Sequence, residues 1–408
     1  MSNRLHDLAD VHYGKSPNEV LSEDSIIPIL GTGGVYGHAT RSLFSGPAVV
    51  VPRKGTLGNP QFVSEPFWPA DTTYAVLPKP NVDAKWLYYG LAMFDLTKLN
   101  EATGVPSISR DWLCKVLLGS AEFSEQCRIA EILTMMDQAI EQTEALIAKT
   151  QQIKAGLMHD LFTHGVTADG LLRPTREQAP ELYKESQLGW MPRERHVKRL
   201  GAVLKECGGY IQTGPFGSQL HAHEYQYEGV PVVMPQDIND GRISTDQIAR
   251  IAKKRTDELA RHRMKTGDIV IARRGELSRA AAIVEEQEGW ICGTGCFLLR
   301  LGRSALHADF ASYAYRHDLI QRQIAGMAVG TTMPSLNNTV MERLFFPLCE
   351  PVEQSLITER LSSVDRSLEI GRIQLTKFTQ EKNGLMHDLL TGRVRVKGPE
   401  PEPAAASV

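Results

Sequence analysis

One stretch of this chain occurs twice. Gly156–Val166 reads GLMHDLFTHGV, and Gly384–Val394, 228 positions later, reads GLMHDLLTGRV, with eight of eleven residues identical. The same offset, without a gap, pairs Gln152 with Gln380, Glu141 with Glu369, Asp137 with Asp365, Glu131 with Glu359 and Gln126 with Gln354. It reaches back to VPSIS at Val105–Ser109, which meets MPSLN at Met333–Asn337, so that Pro106 matches Pro334 and Ser107 matches Ser335. A repeat of this length means that one structural unit occurs twice in tandem, each copy about two hundred residues long.

The matched stretches carry a helical period. Apolar residues fall at Ile129, Leu133, Met136, Ile140, Ile147, Leu157 and Leu161, in steps of three and four or their multiples. The second copy keeps that register at Ile357, Leu361, Val364, Leu368, Leu375, Phe378, Leu385 and Leu389. This is a heptad seam. Thr143, Thr150, Lys154, Gly371 and Lys382 read as interruptions of it, and Gly371 costs about 1 kcal/mol of helix stability relative to alanine. The spacing predicts a central helix over 121–165 and a distal helix over 347–392. Pro347 and Pro351 suit the start of the distal helix, where proline is tolerated. Each helix has roughly 40 residues, on the order of 60 Å. Two such helices could pair between chains, but the tether within one chain raises the partner helix's effective concentration and favours intramolecular, antiparallel pairing.

Each helix is preceded by a globular segment, 1–120 and 191–346, with a linker over 166–190 and a disordered tail over 393–408. Both domains read as α/β with short strands. In the first, IIPILGTGG, SGPAVVVPRKG and FWPADTTYAVLP are strand candidates, followed by a helix near Lys85–Leu96. In the second, VPVVMPQDI, GDIVIARRGE, AAAIVEE and GCFLLRL are strand candidates, with a helix over Phe310–Ile324. The expected class is therefore α+β: two α/β domains in tandem duplication, separated by two long antiparallel coiled-coil helices.

Charge is unevenly spread. The net value is −3, yet Arg250–Arg279 holds ten basic residues against four acidic ones, locally +6, while Ala121–Gly165 is acidic. Clustered positive charge supplies phosphate neutralisation in nucleic-acid binders, so the distribution matters more than the sum. Six cysteines are few for 408 residues and fit buried thiols in a reducing compartment; Cys292 and Cys296 lack a second ligand pair at metal-site spacing, so no metal is expected. No apolar run reaches the roughly 20 residues of a membrane span, and the first 25 residues lack a signal-peptide core, so a cytoplasmic protein with no membrane partner is expected.

Two local patterns recur. Arg53 and Lys54 with Gly55 follow the strand AVVVP, and Arg273 and Arg274 with Gly275 follow DIVIA. Glycine allows close backbone approach, and arginine can grip guanine in a bidentate way, so both pairs are candidate DNA contacts. The glycine-rich stretches GTGGVYG, with Tyr36, and GGYIQTGPFGS, with Gln212, Phe216 and Ser218, read as recognition loops; neither has the Gly-Lys-Ser/Thr of a phosphate-binding loop.

Together GPFGSQL, EGVPVV, GDIVIARRGE, GTTMPSLNN and the closing GLMHDLLTGRV resemble the specificity subunit of type I restriction-modification enzymes. GTGGVYG, RKGTLGNP and FWPADTTYAV resemble a variant recognition domain of that family. The resemblance covers nearly the whole chain. It departs at MPRERHVKRL, where Arg195 and His196 stand in place of a usual tryptophan-containing strand. The resemblance implies two target recognition domains that read two half-sites of double-stranded DNA in the major groove. The two helices would set the gap between them and dock two modification subunits through the seam residues Ile129, Leu133, Met136, Ile140, Leu157, Leu161, Ile357, Leu361, Val364, Leu368, Leu385 and Leu389. S-adenosylmethionine, ATP and Mg2+ would belong to the partner modification and restriction subunits, with no cofactor bound here.

No catalytic residue is expected in this chain. The nearest string to an adenine-methylation motif, NPQF at Asn59–Phe62, has Gln61 where a second proline belongs, and there is no Walker lysine loop. His159 and His387 of the repeated GLMHDL sit near helix ends and read as packing residues rather than general bases. Two other classes stay open at this point: a nuclease with an unrecognised site, and a coiled-coil adaptor that does not touch DNA.

Overall fold

The computed structural model describes residues 2–216, 219–304, 306–327 and 335–397. The chain divides into two compact units, Met1–Ile147 with Ile370–Val408, and Ala148–Glu369. Each unit therefore takes one globular domain together with part of each long helix.

The central helix spans Phe123–Thr163 and the distal helix Pro351–Leu390. Proline opens the distal helix at its first position, where its missing N–H costs nothing. Within the first unit, Glu125 meets Arg395, Asp137 meets Lys382, and Gly371 faces Ile147. Rising numbers on one helix meet falling numbers on the other, so the paired segments are antiparallel. The second unit shows the same sense independently, with Lys154 on Asp365 and Val166 on Glu353.

Four of the five residues read as interruptions make specific contacts: Lys154 and Lys382 across the helix pair, Thr143 within its own helix and Gly371 against Ile147. Lys154 and Lys382 make the cross-helix ion pairs at 2.6 and 2.5 Å. Thr143 is buried with its hydroxyl donating to the Ala139 carbonyl. Gly371 is buried against Ile147, whose side chain a Cβ at this position would approach to 3.0 Å. Periodicity of apolar residues alone misses such positions, since a polar side chain can occupy a seam when a partner satisfies it.

Burial along the seam is graded. Ile129, Leu133, Leu161, Ile357 and Leu361 are fully buried and Leu368 and Leu389 nearly so; Met136, Ile140, Leu157, Val364 and Leu385 are half-buried. The reason is that the helix ends enter domain cores. In the first unit, Ile129 and Leu133 join Leu389 and Leu390 under the domain's Leu87, Leu91 and Leu113. In the second, Leu161 and Ile357 pack with Phe310, Phe346 and Leu344.

The two domains share a topology that their sequences do not advertise. The first has a four-stranded antiparallel sheet ordered Ala9–Tyr13, Thr73–Pro78, Ala48–Pro52, Gln61–Val63. In the second the order is Tyr210–Thr213, Cys296–Arg300, Asp268–Ala272, Ala280–Ala282, again antiparallel. A second sheet repeats too. Ile27–Gly31 pairs antiparallel with Gly34–Ala39 and parallel with Trp68–Pro69, and Val230–Val233 does the same with Ala249–Ile251 and Ile291–Cys292. The strands Ala48–Pro52 and Asp268–Ala272 are buried at all five positions, the mark of a central strand covered on both faces.

Three expectations need correction. The helix expected over Phe310–Ile324 is two helices, Ala308–Arg316 and Asp318–Met327, broken where His317 takes an extended backbone and its Nδ1 accepts from the Leu319 amide. The segment 166–190 is more than a connector: Tyr183–Ser186 starts a hairpin with Gly189–Pro192, and Arg173 is buried on Glu353. Residues 393–397 are not a loose tail, because the buried Glu125 carboxylate binds Arg395 at 2.8 Å and the Val396 amide at 3.2 Å. Residues 398–408 lie outside the described residues.

Candidate nucleic-acid interface

The two basic pairs occupy the same place in their domains. Each follows the buried central strand and ends in a glycine with a left-handed backbone, φ +87° at Gly55 and +75° at Gly275, where a side chain would be strained. The Arg53 carbonyl accepts from Ile108 and the Arg273 carbonyl from Leu336, so each corner is tied to the segment leading back to its long helix. Lys54 bridges to Ser107 and Arg274 to Ser335, the serines matched by the sequence repeat.

Within each pair the two residues differ. The Arg53 guanidinium lies 4.9 Å from the Tyr13 ring and 5.9 Å from Tyr74, and donates to the Asp71 carbonyl. Arg273 sits between Phe216 and Phe297 at 5.9 and 5.8 Å and donates to the Leu336 carbonyl. Both first residues are half-buried parts of the scaffold. Lys54 and Arg274 are exposed and make no side-chain hydrogen bond or ion pair among the described residues. They are the members of each pair whose charge is available to a ligand.

Tyr36 lies in the hairpin strand Gly34–Ala39 and is 58% exposed. Its ring rests on Gly31, where a Cβ would come within 2.9 Å of it. Phe216 is 52% exposed and covers Arg273. Gln212 is half-buried and donates through Nε2 to the Arg261 carbonyl and to His262 Nδ1, both at 3.0 Å. Burial, helped by the Arg261 charge, holds His262 below the usual imidazole range, which keeps Nδ1 free to accept. In the second domain Gln212 is thus tied to Arg261 and His262, and Phe216 separately to Arg273. Ser218 lies outside the described residues.

The basic segment is partly neutralised by its own domain. Arg255 binds Glu224 and Glu258, Arg263 binds Asp257, and Arg279 binds Glu276. Asp268, counted among its acids, is held by Arg300. Lys253, Lys254, Arg261, Lys265 and Arg274 are exposed with no side-chain ion pair among the described residues. Sequence counting treats all ten bases alike; only the fold separates paired from available ones. Tyr227, which sequence reasoning passed over, is fully exposed beside Arg250 and the hairpin strand Ala249–Ile251.

Residues that could carry other chemistry are placed as follows. Cys292 and Cys296 are buried and burial pushes both thiols well up, so neither is a thiolate near neutrality. His159 and His387 are exposed on the two long helices. Among the described residues no group of three or more His, Cys, Asp or Glu could hold a metal ion, and no helix is long and apolar enough to cross a membrane.

These features match known proteins. The type I restriction modification DNA specificity domain matches residues 1–152 and again 209–377, one match per domain and its following helix. The type I restriction enzyme MjaVIII specificity subunit of Methanocaldococcus jannaschii is 24% identical over 324 residues, covering 78% of this chain and 71% of that one. The putative type I restriction enzyme MjaX specificity subunit of the same organism is 25% identical over 338 residues, covering 79% and 71%. The crystal structure of the S subunit of a type I restriction-modification system from M. genitalium shares the fold, with a TM-score of 0.64 at 17% identity over 96% of both chains. A chain from a structural study of complex assembly and conformational transition in the type I system aligns with a TM-score of 0.51 at 14% identity, over 97% of this chain and 98% of that one. The duplicated domain, the paired helices and these matches place the chain in the family of type I restriction-modification DNA specificity subunits.

Proposed function

We propose that the chain reads a bipartite site on double-stranded DNA and performs no chemistry itself. Each domain reads one half-site, and the antiparallel helix pair acts as a coiled-coil spacer that sets the gap and docks two modification subunits, with restriction subunits joining the complex. S-adenosylmethionine, ATP and Mg2+ belong to those partners. The observation that carries this reading is the repetition of one domain topology in one chain, with an exposed cation, Lys54 or Arg274, at the same strand end in both copies. Two copies of a reader with diverged surfaces suit two different short sequences, and an exposed cation at a strand end reaches phosphate or a guanine edge. Flanking exposed cations Lys253, Lys254, Arg261 and Lys265 add phosphate affinity in the second domain.

The nuclease alternative calls for a cluster of metal-binding carboxylates, and the described residues offer none to support it. The recurrence of an exposed cation at the same strand end in both domains favours a DNA reader over a pure adaptor. The test is methylome sequencing of a host carrying this chain with its modification partner. Two short specific sequences separated by a fixed gap of non-specific bases are expected. A single contiguous motif, or no motif, would refute the reading.

A further inference from the structure

Asp137 and Asp365, equivalent in the repeat, each join three elements at one carboxylate. In the first unit, Tyr89, on the domain helix Ala84–Met93, donates its hydroxyl to Asp137 at 2.6 Å. Lys382 of the distal helix reaches the other oxygen of Asp137 at 2.5 Å. In the second unit, Tyr313, on Ala308–Arg316, donates to Asp365 at 2.6 Å, and Lys154 of the central helix reaches its other oxygen at 2.6 Å. The helices exchange roles between the copies: the one that supplies the carboxylate in one unit supplies the lysine in the other.

This recurrence is more than inherited spacing. Asp137 and Asp365, like Lys154 and Lys382, are 228 residues apart, but Tyr89 and Tyr313 are 224 apart. The tyrosine has therefore kept its place on the carboxylate although four residues were gained or lost between it and the helix.

A carboxylate can accept several hydrogen bonds at once, and charge-assisted bonds are short and directional. Here the two acceptor oxygens point one toward the domain and one toward the other helix. The tyrosine rings are buried, at 3% and 7% exposure, so the phenol tip is a fixed point of the domain rather than a free arm. Burial and the adjacent carboxylate push both phenols far up, so each hydroxyl stays protonated and donates throughout the working pH range. Turning a domain about the helix pair pulls the hydroxyl off the carboxylate while the apolar contacts slide with little directional preference.

We propose that the Tyr–Asp–Lys joint sets the angle at which each domain is held on its helix pair, and so sets how strictly the protein rejects targets whose half-site spacing is wrong. Tyr89 and Tyr313 are positioning residues and touch no base. The inference rests on the bipartite reading proposed above. One base pair of extra spacer moves the second half-site by about 3.4 Å and turns it by roughly 35°, so a domain held at one angle loses contacts that a loosely held one can recover.

The experiment uses the assembled methyltransferase complex and duplexes carrying the mapped site with its natural spacer, or with one base pair added or removed. Methylation rates on the three duplexes give a spacer discrimination ratio. Tyr313→Phe, which keeps the ring and removes the hydroxyl, is expected to lower that ratio about tenfold, with half-site sequences unchanged. Tyr89→Phe is expected to lower it less, because Asp137 and Lys382 are the more exposed copy. A purely structural hydroxyl would lower the melting temperature and slow all three duplexes alike. An unchanged ratio in both folded variants overturns the proposal. If Tyr313→Phe does not fold, Tyr89→Phe decides by the same ratio. A wild-type complex that methylates a contiguous site would overturn the bipartite reading itself, which separates the two failures.

Discussion

Glu353→Ala tests how the distal helix is anchored to the second domain. The Glu353 carboxylate is 6% exposed and accepts from Arg173 at 2.6 Å, Arg195 at 2.7 Å and the Val166 amide at 3.0 Å. Arg195 has no exposure at all and also donates to the carbonyls of Leu161 and Phe162 at the end of the central helix. Removing the carboxylate strands the fully buried Arg195 guanidinium without a counter-charge and leaves the buried Arg173 only the exposed Glu194, which costs about 3–5 kcal/mol. Glu125, equivalent in the first copy, supplies an internal comparison. Its ion-pair partner Arg395 is 59% exposed, so solvent screens the pair and Glu125→Ala should cost about 1 kcal/mol. Urea denaturation of both variants, followed by circular dichroism, measures the difference. The acid side adds a signed check. Burial pushes the Glu353 carboxyl up, but Arg195 and Arg173 outweigh it and hold the group below its ordinary 4.5. The stabilisation is therefore present above pH 4.5 and is lost as the pH falls through the lower folded value, a loss that Glu353→Ala should not show. A Glu353→Ala cost below 1 kcal/mol, or one equal to that of Glu125→Ala, would refute the reasoning.

Further outcomes follow from the same structure. Burial lowers His317 from 6.5 to about 4, so its contribution is complete above pH 6.5 and falls by up to about 3 kcal/mol as the pH drops toward 4; urea midpoints at pH 7 and pH 4.5 should converge for His317→Phe but not for the parent. Arg274→Ala should weaken recognition of one half-site by about 1–3 kcal/mol without altering the melting temperature, whereas Arg273→Ala should lower the melting temperature as well, because its guanidinium is packed between Phe216 and Phe297. Equal weakening of both half-sites by Arg274→Ala, seen in binding to half-site-scrambled duplexes, would make it a general phosphate contact.

What could be read from the sequence was mostly what the duplication had left alone. The helices were visible because each must keep an apolar face toward the other, and Ile129, Leu133, Ile357 and Leu361 hold that face in both copies. Thr143, Lys154, Gly371 and Lys382 looked like breaks because their partners, Ala139, Asp365, Ile147 and Asp137, lie a helical turn away or on another helix. The identity of the two domain topologies was not legible: strand order depends on long-range pairing, and buried β-strands such as AVVVP and DIVIA tolerate any β-branched or small filling. The basic corners were legible as motifs, but the division of labour inside each pair was not. Nothing in the strings RKG and RRG says that the first cation will lie against Tyr13 and Tyr74, or against Phe216 and Phe297. Arg195, read as a departure from the family pattern, is the fully buried anchor of the second unit.

Deleting Ala145–Ala148 from the central helix and sequencing the resulting methylome tests most directly whether one chain holds two readers at a spacing set by its helices. The deletion removes about one helical turn, roughly 6 Å of rise. The same two half-site sequences, with a changed gap between them, are expected. Altered half-site sequences, or an unaltered gap in an active complex, would contradict that expectation.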